Sequence, residues 1–212
     1  MTTAAWVLLA VTLAFAVTDW WAVWTGRANV RYVAKPATLV ALIGVAVALE
    51  PFDATIRTWM VIGLVLSLAG DVFLMLSDRW FVAGLGSFLL GHIAYVTALQ
   101  LAPSEAGWTV VGLVVVAICI ATFGRRIVVG VHRGDHRSLT GPVIAYLVVI
   151  SAMVVSAFAT AAPWAMIGAL LFYASDATLA WNRFLELRRF GPIGVMTTYH
   201  LAQIGLVAWL VG

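Results

Sequence analysis

Charged residues are scarce in this sequence of 212 residues, of which only 10% are Asp, Glu, Lys or Arg. A soluble domain carries about 25% charged residues because water must wet its surface. Hydrophobic residues make up 64% of the chain, and the mean hydropathy is +1.06. The composition therefore excludes an ordinary water-soluble protein and predicts an integral membrane protein.

Cysteine and lysine are almost absent as well. Cys119 is the single cysteine, which excludes an intrachain disulfide and a cysteine-rich metal site. The formal net charge of +3 comes from few residues and forms no basic stripe, so nucleic acid is not an expected partner. The first apolar segment has no cationic region before it and other such segments follow, so we expect a mature helix there and not a signal peptide.

Apolar runs long enough to span a bilayer recur along the whole chain. A spanning helix needs roughly 17–25 mostly apolar residues. Such runs lie near residues 4–24, 33–49, 57–77, 81–101, 108–124, 139–161, 163–181 and 193–212. Only short connections join them. We therefore predict an all-α fold, a polytopic membrane bundle of eight transmembrane helices that forms a single domain over residues 1–212.

A faint internal repeat relates the two halves of the chain. Asp71 and Asp176 are 105 residues apart, and His92 and His200 are 108 residues apart. A proline also opens both the second and the sixth segment. Four helices separate the copies, so the pattern indicates a four-plus-four parallel repeat, for which chance matches in an apolar chain are the alternative.

The ionisable residues inside the predicted spans are the candidates for chemistry. An ionised carboxylate at mid-membrane costs from about 2.5 kcal/mol upward, so it is rarely kept without a use. Asp71 and Asp176 lie in apolar sequence and are the candidate catalytic residues. The candidate substrate-binding residues are polar residues expected near them: Lys35, His92, Tyr95, Tyr173, Tyr199, His200 and Asn182. The structural alternative is that each aspartate pairs with Lys35 or a histidine and only holds helices together.

Other polar residues carry weaker signals. Tyr146 and Gln203 are further hydrogen-bonding groups for the same polar cluster. His132 and His136 have the spacing of metal ligands, but they fall in a basic segment that we expect to be a solvated loop. No such spacing occurs within a span, so we expect no metal. Asp19 lies among tryptophans and is expected at the interface in a structural role.

Several short motifs together resemble the YhhN family, the group that includes the animal lysoplasmalogenases. The resemblance covers nearly the whole chain, and each motif lies in the expected span. The most specific pieces are Lys35–Pro36, Gly70–Met75, Phe88–Tyr95, Tyr173–Asp176 and Thr198–Gln203. The resemblance implies an eight-helix fold in which two intramembrane aspartates, corresponding to Asp71 and Asp176, are essential.

The resemblance also implies an activity, which is hydrolysis of the vinyl ether bond of lysoplasmalogens. The products are a fatty aldehyde and a glycerophospho-ethanolamine or -choline. Such a cleavage needs an acid that is neutral near pH 7 and a base that activates water. Burial can raise the pKa of one carboxyl group, and a nearby cation can keep a second one ionised, so two carboxyl groups can supply both roles. No cofactor is expected, and the expected partners are the lysolipid substrate and the lipid bilayer.

Other functions fit the same residues. Buried Asp and His groups and a four-plus-four repeat also suit a proton-coupled transporter. A non-catalytic lipid-binding protein with a structural polar cluster is a further alternative. A metal-dependent hydrolase of the membrane amidase type is a weaker one, because about three converging ligands would be needed.

The basic residues are distributed very unevenly between the two sets of loops. Connections 1–2, 3–4, 5–6 and 7–8 hold eleven of the twelve: Arg27, Arg31, Lys35, Arg79, Arg125, Arg126, Arg133, Arg137, Arg183, Arg188 and Arg189. The other side holds only Arg57. Cytoplasmic loops carry the excess of Lys and Arg, so the pattern predicts insertion in the cytoplasmic membrane with both termini outside.

Reporter fusions test this topology. A reporter that is active only in the cytoplasm should be silent at the C-terminus and active when it is fused after Arg133. The opposite pattern would show that the bundle is inserted the other way round.

Overall fold

The computed structural model describes residues 1–211, which form eight helical rods joined by short turns. The helices are α1 Thr3–Trp24, α2 Ala28–Ala48, α3 Ala54–Met75, α4 Phe81–Gln100, α5 Ala106–Cys119, α6 Arg125–Arg133, α7 Thr140–Ala159, α8 Pro163–Phe184 and α9 Gly191–Ala208. Helices α5 and α6 form one rod, because a π-helical turn over residues 120–124 connects them without a break. The predicted all-α fold and the count of eight are confirmed.

Local sequence explains where several helices begin. The Thr2 side chain accepts a hydrogen bond from the backbone N–H of Ala5 at 3.1 Å and caps α1. Asp53 caps α3 in the same way, accepting from the N–H groups of Thr55 and Ile56. Helix α8 begins with Pro163, which suits a first turn because the missing N–H would have no partner there.

Seven of the eight rods within residues 1–211 are long and apolar enough to cross a membrane. Helix α8 is the other rod, and its 22 residues make it as long as α1 and α3. It is more polar because it carries Asp176, Asn182 and Arg183. The chain is a multi-pass integral membrane protein.

Exposed tryptophans mark both ends of the bundle. They are Trp6, Trp21, Trp24, Trp80, Trp108 and Trp164. Because successive rods run in opposite directions, Trp6, Trp108 and Trp164 lie at one end, and the other three lie at the opposite end. Two such girdles are typical of the two interfaces between membrane and water.

Helix α6 differs from the sequence-based expectation. The segment around His132 was expected to be a loop, but His132 and Arg133 form the last turn of α6. Its residues Ile127 and Val131 are buried against the end of α8, whereas Arg125 and Arg126 are exposed. Helix α6 is therefore amphipathic and extends the fifth rod beyond its apolar part. Its buried face holds this extension against the bundle.

Helices α3 and α4, and likewise α8 and α9, make close contacts at glycines. A Cβ added at Gly63 of α3 would lie only 2.2 Å from the Tyr95 ring of α4, and one at Gly91 would lie 3.2 Å from the Gly63 carbonyl oxygen. A Cβ at Gly168 of α8 would lie 2.9 Å from the backbone nitrogen of Leu206 in α9. Small residues let membrane helices approach closely, which accounts for these contacts. The duplication of the halves stays a prediction.

A substitution at Gly168 tests the close contact of α8 with α9. Gly168→Val should lower the free energy of unfolding by at least about 1–3 kcal/mol. The valine side chain would clash with backbone atoms of Leu206 and Ala202, which cannot rotate away as a side chain can. Gly194→Val in α9 is the matched control, since nothing lies within 4 Å of its added Cβ. Thermal unfolding in detergent measures both, and equal stability of the two variants would contradict this packing.

Candidate active site

Asp71 of α3 and Asp176 of α8 line the same cavity, which has a volume of about 260 Å³. Residues of α2, α3, α4, α8 and α9 surround it, and we call it the polar cavity. The lining residues are Ala28, Arg31, Tyr32, Lys35, Asp71, Leu74, Met75, Phe88, Ser175, Asp176, Leu179, Val195, Met196 and Tyr199. The cavity thus joins the two halves of the chain around one space.

Asp71 is held by a cation and a hydroxyl group. The Lys35 Nζ lies 2.9 Å from its Oδ1, and the Tyr199 hydroxyl donates to its Oδ2 at 2.8 Å. Asp71 and Lys35 are buried, with side-chain exposures of 1% and 5%. Since a buried charge needs an opposite charge beside it, Lys35 stabilises the ionised form of Asp71.

Asp176 has different partners. The Tyr146 hydroxyl donates to its Oδ2 at 2.5 Å, and the His92 Nε2 lies 3.6 Å from the same oxygen. Within residues 1–211, no lysine or arginine side chain approaches Asp176 to 4.0 Å. The carboxyl group therefore lacks the adjacent cation that Asp71 has.

The hydrogen bond on the far side of His92 fixes the position of its ring proton. His92 Nδ1 lies 2.6 Å from the Phe88 carbonyl oxygen, which only accepts, so Nδ1 carries the hydrogen. In a neutral ring, Nε2 then presents a lone pair toward Asp176. A lone pair and a carboxylate repel each other, so this arrangement favours a proton on Asp176 or on His92, although the 3.6 Å separation is longer than a hydrogen bond. Asp176 together with His92 can thus act as a proton donor.

The other predicted binding residues lie outside the polar cavity. Tyr95 is buried and donates to Gln203 Oε1 at 2.6 Å, and His200 Nδ1 accepts from Trp20 Nε1 at 3.0 Å. Asn182 accepts from the backbone N–H of Arg188 at 3.2 Å and thereby supports the α8–α9 turn.

Neither histidine lies within 4.0 Å of the aspartate on the helix before its own. His92 follows Asp71 in the chain but contacts Asp176, and His200 contacts neither aspartate within 4.0 Å. Helix crossing brings α4 against α7 and α8, whereas the side chain of His200 points toward α1.

Arg31 and Tyr32 line the polar cavity and were not among the predicted site residues. They precede Lys35 by four and three residues, so they share its face of α2. This spacing is the sequence signal that would have placed them in the site. Asp19 was expected at the interface but is fully buried, and its Oδ1 lies 3.9 Å from the Arg31 Nε. The nearby Arg31 side chain explains how a carboxyl group is tolerated in this buried position.

A second cavity of about 80 Å³ adjoins the first, and we call it the apolar cavity. It lies between α4, α6, α7 and α8, and Tyr173 is on its wall. Leu74, Phe88, Asp176 and Leu179 line both cavities. Within residues 1–211, no group of three or more His, Cys, Asp or Glu side chains is placed to hold a metal ion.

Residues 30–210 match the family model of the YhhN family. The chain belongs to the YhhN family. Asp71, Asp176 and every other residue of the polar cavity except Ala28 fall within the matched range.

Curated relatives of this YhhN protein include bacterial and mammalian chains. The lysoplasmalogenase of Mycobacterium tuberculosis is 35% identical over 194 residues, covering 87% of this chain and 71% of the relative. Human lysoplasmalogenase TMEM86B is 33% identical over 143 residues, covering 66% and 58%. Mouse TMEM86B is 29% identical over 153 residues, covering 71% and 62%. No solved structure matches the chain.

A double-mutant experiment tests the buried ion pair. Lys35→Met should lower the free energy of unfolding by about 3–5 kcal/mol, because it leaves the Asp71 carboxylate buried without its cation. Adding Asp71→Asn should restore much of the lost stability. Arg126→Met removes an exposed cation and serves as the control. Thermal unfolding in detergent measures the stability of the wild type and of these three variants. A Lys35→Met variant as stable as the control would contradict a buried pair.

Proposed function

We propose that this YhhN protein is a lysoplasmalogenase, a membrane hydrolase that cleaves the vinyl ether bond of a lysoplasmalogen. The curated relatives bear that name, and they match most of the chain. The observation that carries the proposal is the unequal pair of carboxyl groups on one cavity: Asp71 beside a cation and Asp176 without one. Vinyl ether hydrolysis needs both an acid and a base, which such a pair supplies.

In this proposal Asp176 is the acid. It transfers its proton to the outer alkene carbon, and the carbon attached to oxygen becomes an oxocarbenium ion. His92 Nε2 lies 3.6 Å from Asp176 Oδ2 and is placed to return a proton to this carboxyl group. The negative charge of Asp71 on the same cavity stabilises the developing cation.

Asp71 is the base of the second step. It takes a proton from a water molecule as the water oxygen bonds to the oxocarbenium carbon, which gives a hemiacetal. Lys35 and Tyr199 hold both oxygens of Asp71 in place for this transfer.

Collapse of the hemiacetal returns both groups to their starting states. The bond between carbon and the glycerol oxygen breaks, and that oxygen takes the proton held by Asp71. The hemiacetal hydroxyl gives its proton to Asp176 and becomes the aldehyde. One water molecule is consumed, and the products are a fatty aldehyde and a glycerophospho-alcohol.

Arg31 and Lys35 bind the lysolipid phosphate in this scheme. Both line the polar cavity, and a guanidinium group suits a phosphate because it donates several hydrogen bonds in one plane. They lie at the end of the bundle that carries eleven of the twelve basic residues. By the positive-inside rule, the substrate enters from the inner leaflet of the cytoplasmic membrane, with both termini outside.

Replacing each aspartate by its amide tests the mechanism. Asp71→Asn and Asp176→Asn should each lower turnover by about 10²–10⁴, because an amide neither donates a carboxyl proton nor accepts one from water. The double variant should be little worse than either single one, since the two groups act as a unit. The pH–rate profile should be bell-shaped, and its two limbs should report the titration of the coupled pair and not of either residue alone. The assay measures aldehyde release from a lysoplasmalogen by purified protein in detergent.

Asp135→Asn is the control, because Asp135 is exposed in the loop after α6. A folded Asp71→Asn or Asp176→Asn protein with wild-type turnover would contradict the two-carboxylate mechanism. Chelators should leave the rate unchanged, and activity that is lost with a chelator and restored by zinc would replace it with a metal mechanism. A transporter would release no aldehyde from any lysolipid.

A further inference from the structure

The polar and apolar cavities differ in the side chains around them but share a wall. Arg31, Lys35 and Asp71 line the polar cavity alone. The apolar cavity is lined mainly by hydrocarbon side chains, among them Ile127, Val143, Leu147, Ile150, Ala177 and Ala180. Because Leu74, Phe88, Asp176 and Leu179 belong to both, the two cavities adjoin along this strip.

We infer that the apolar cavity receives the first part of the hydrocarbon chain of the lysolipid, whose phosphate lies in the polar cavity. The inference rests on the proposed function. A lysoplasmalogen has a charged head and an apolar chain, and the vinyl ether joins them. A molecule laid across the two cavities therefore places its reactive bond at their boundary, and Asp176 is the ionisable residue of the shared strip.

Helix α6 completes the site for the chain. Ile127 and Val128 of α6, together with Gly124 of the π-helical turn before it, form one wall of the apolar cavity, and Ile127 is buried against α8. The extension of the fifth rod beyond its π-helical turn thus encloses a space that α4, α7 and α8 would otherwise leave open. Burial from water holds a hydrocarbon chain there, and each buried methylene group raises the binding affinity roughly fourfold.

Small side chains on α8 keep this space open. Ala177 and Ala180 follow Asp176 along the helix, and both line the apolar cavity but not the polar one. A larger residue at position 180 would occupy the place of the chain. Because position 180 lies one turn after Asp176, the test compares two substrates in the same variant, so that any effect on the carboxyl group cancels. Ala180 is therefore a determinant of specificity for the chain.

The first experiment compares substrates of different chain length in Ala180→Phe. The ratio of kcat/KM for a hexadecenyl lysolipid to that for a butenyl lysolipid should fall more than tenfold, since at least two methylene groups lose their place. Ala174→Phe is the matched control, because Ala174 is an exposed alanine of the same helix that lines neither cavity. Its ratio should stay within twofold of the wild type. An Ala180→Phe ratio equal to that of the control would overturn the inference.

The second experiment uses the wild-type protein and needs no turnover. A saturated alkyl-ether lysolipid with a diazirine a few carbons from the ether oxygen should crosslink to Val143 and Leu147, which line the apolar cavity. Ile144 and Val148 lie on the same helix but are 44% and 62% exposed. Crosslinks confined to these exposed residues would overturn the inference.

The two experiments separate this inference from the proposed function. Crosslinks at Val143 and Leu147 in a protein that releases no aldehyde from any lysolipid would support the chain site and contradict the hydrolase. Aldehyde release together with crosslinks only on the exposed face would support the hydrolase and contradict the chain site.

Discussion

The ion pair between Lys35 and Asp71 is the interaction on which the rest of the site depends. The Lys35 Nζ lies 2.9 Å from Asp71 Oδ1, and both side chains are almost completely buried. In a low-dielectric interior neither charge is tolerated alone, so α2 and α3 must keep these residues together. Tyr199 adds a hydrogen bond from α9, which ties the second half of the bundle to the same carboxylate.

The ion pair also makes the two aspartates unequal. They lie on the third and seventh rods, and both carboxyl groups reach the polar cavity. Asp71 meets a lysine, whereas Asp176 meets a tyrosine hydroxyl and the lone pair of a histidine. Two identical side chains can therefore hold different charges, which is what paired acid and base chemistry requires.

A membrane protein has a particular reason to build such a site between helices. Polar groups facing lipid are costly, so the polar cavity lies inside the bundle while apolar side chains cover the outside. Glycines let α3 pack closely on α4 and α8 pack closely on α9. Each of these four helices contributes residues to the wall of the polar cavity. The apolar cavity adjoins the polar one at Asp176, whose side chain is 14% exposed.

The sequence by itself determined the membrane environment, the eight helical rods and the candidate aspartates. These follow from composition and from the cost of charge in lipid, which act on each segment separately. Tertiary structure decided which residues meet: His92 reaches Asp176 and not Asp71, His200 contacts Trp20, and α6 forms a cavity wall. Hydropathy sets the length and depth of a helix but leaves its rotation and neighbours open, and these are fixed only when all the helices pack together.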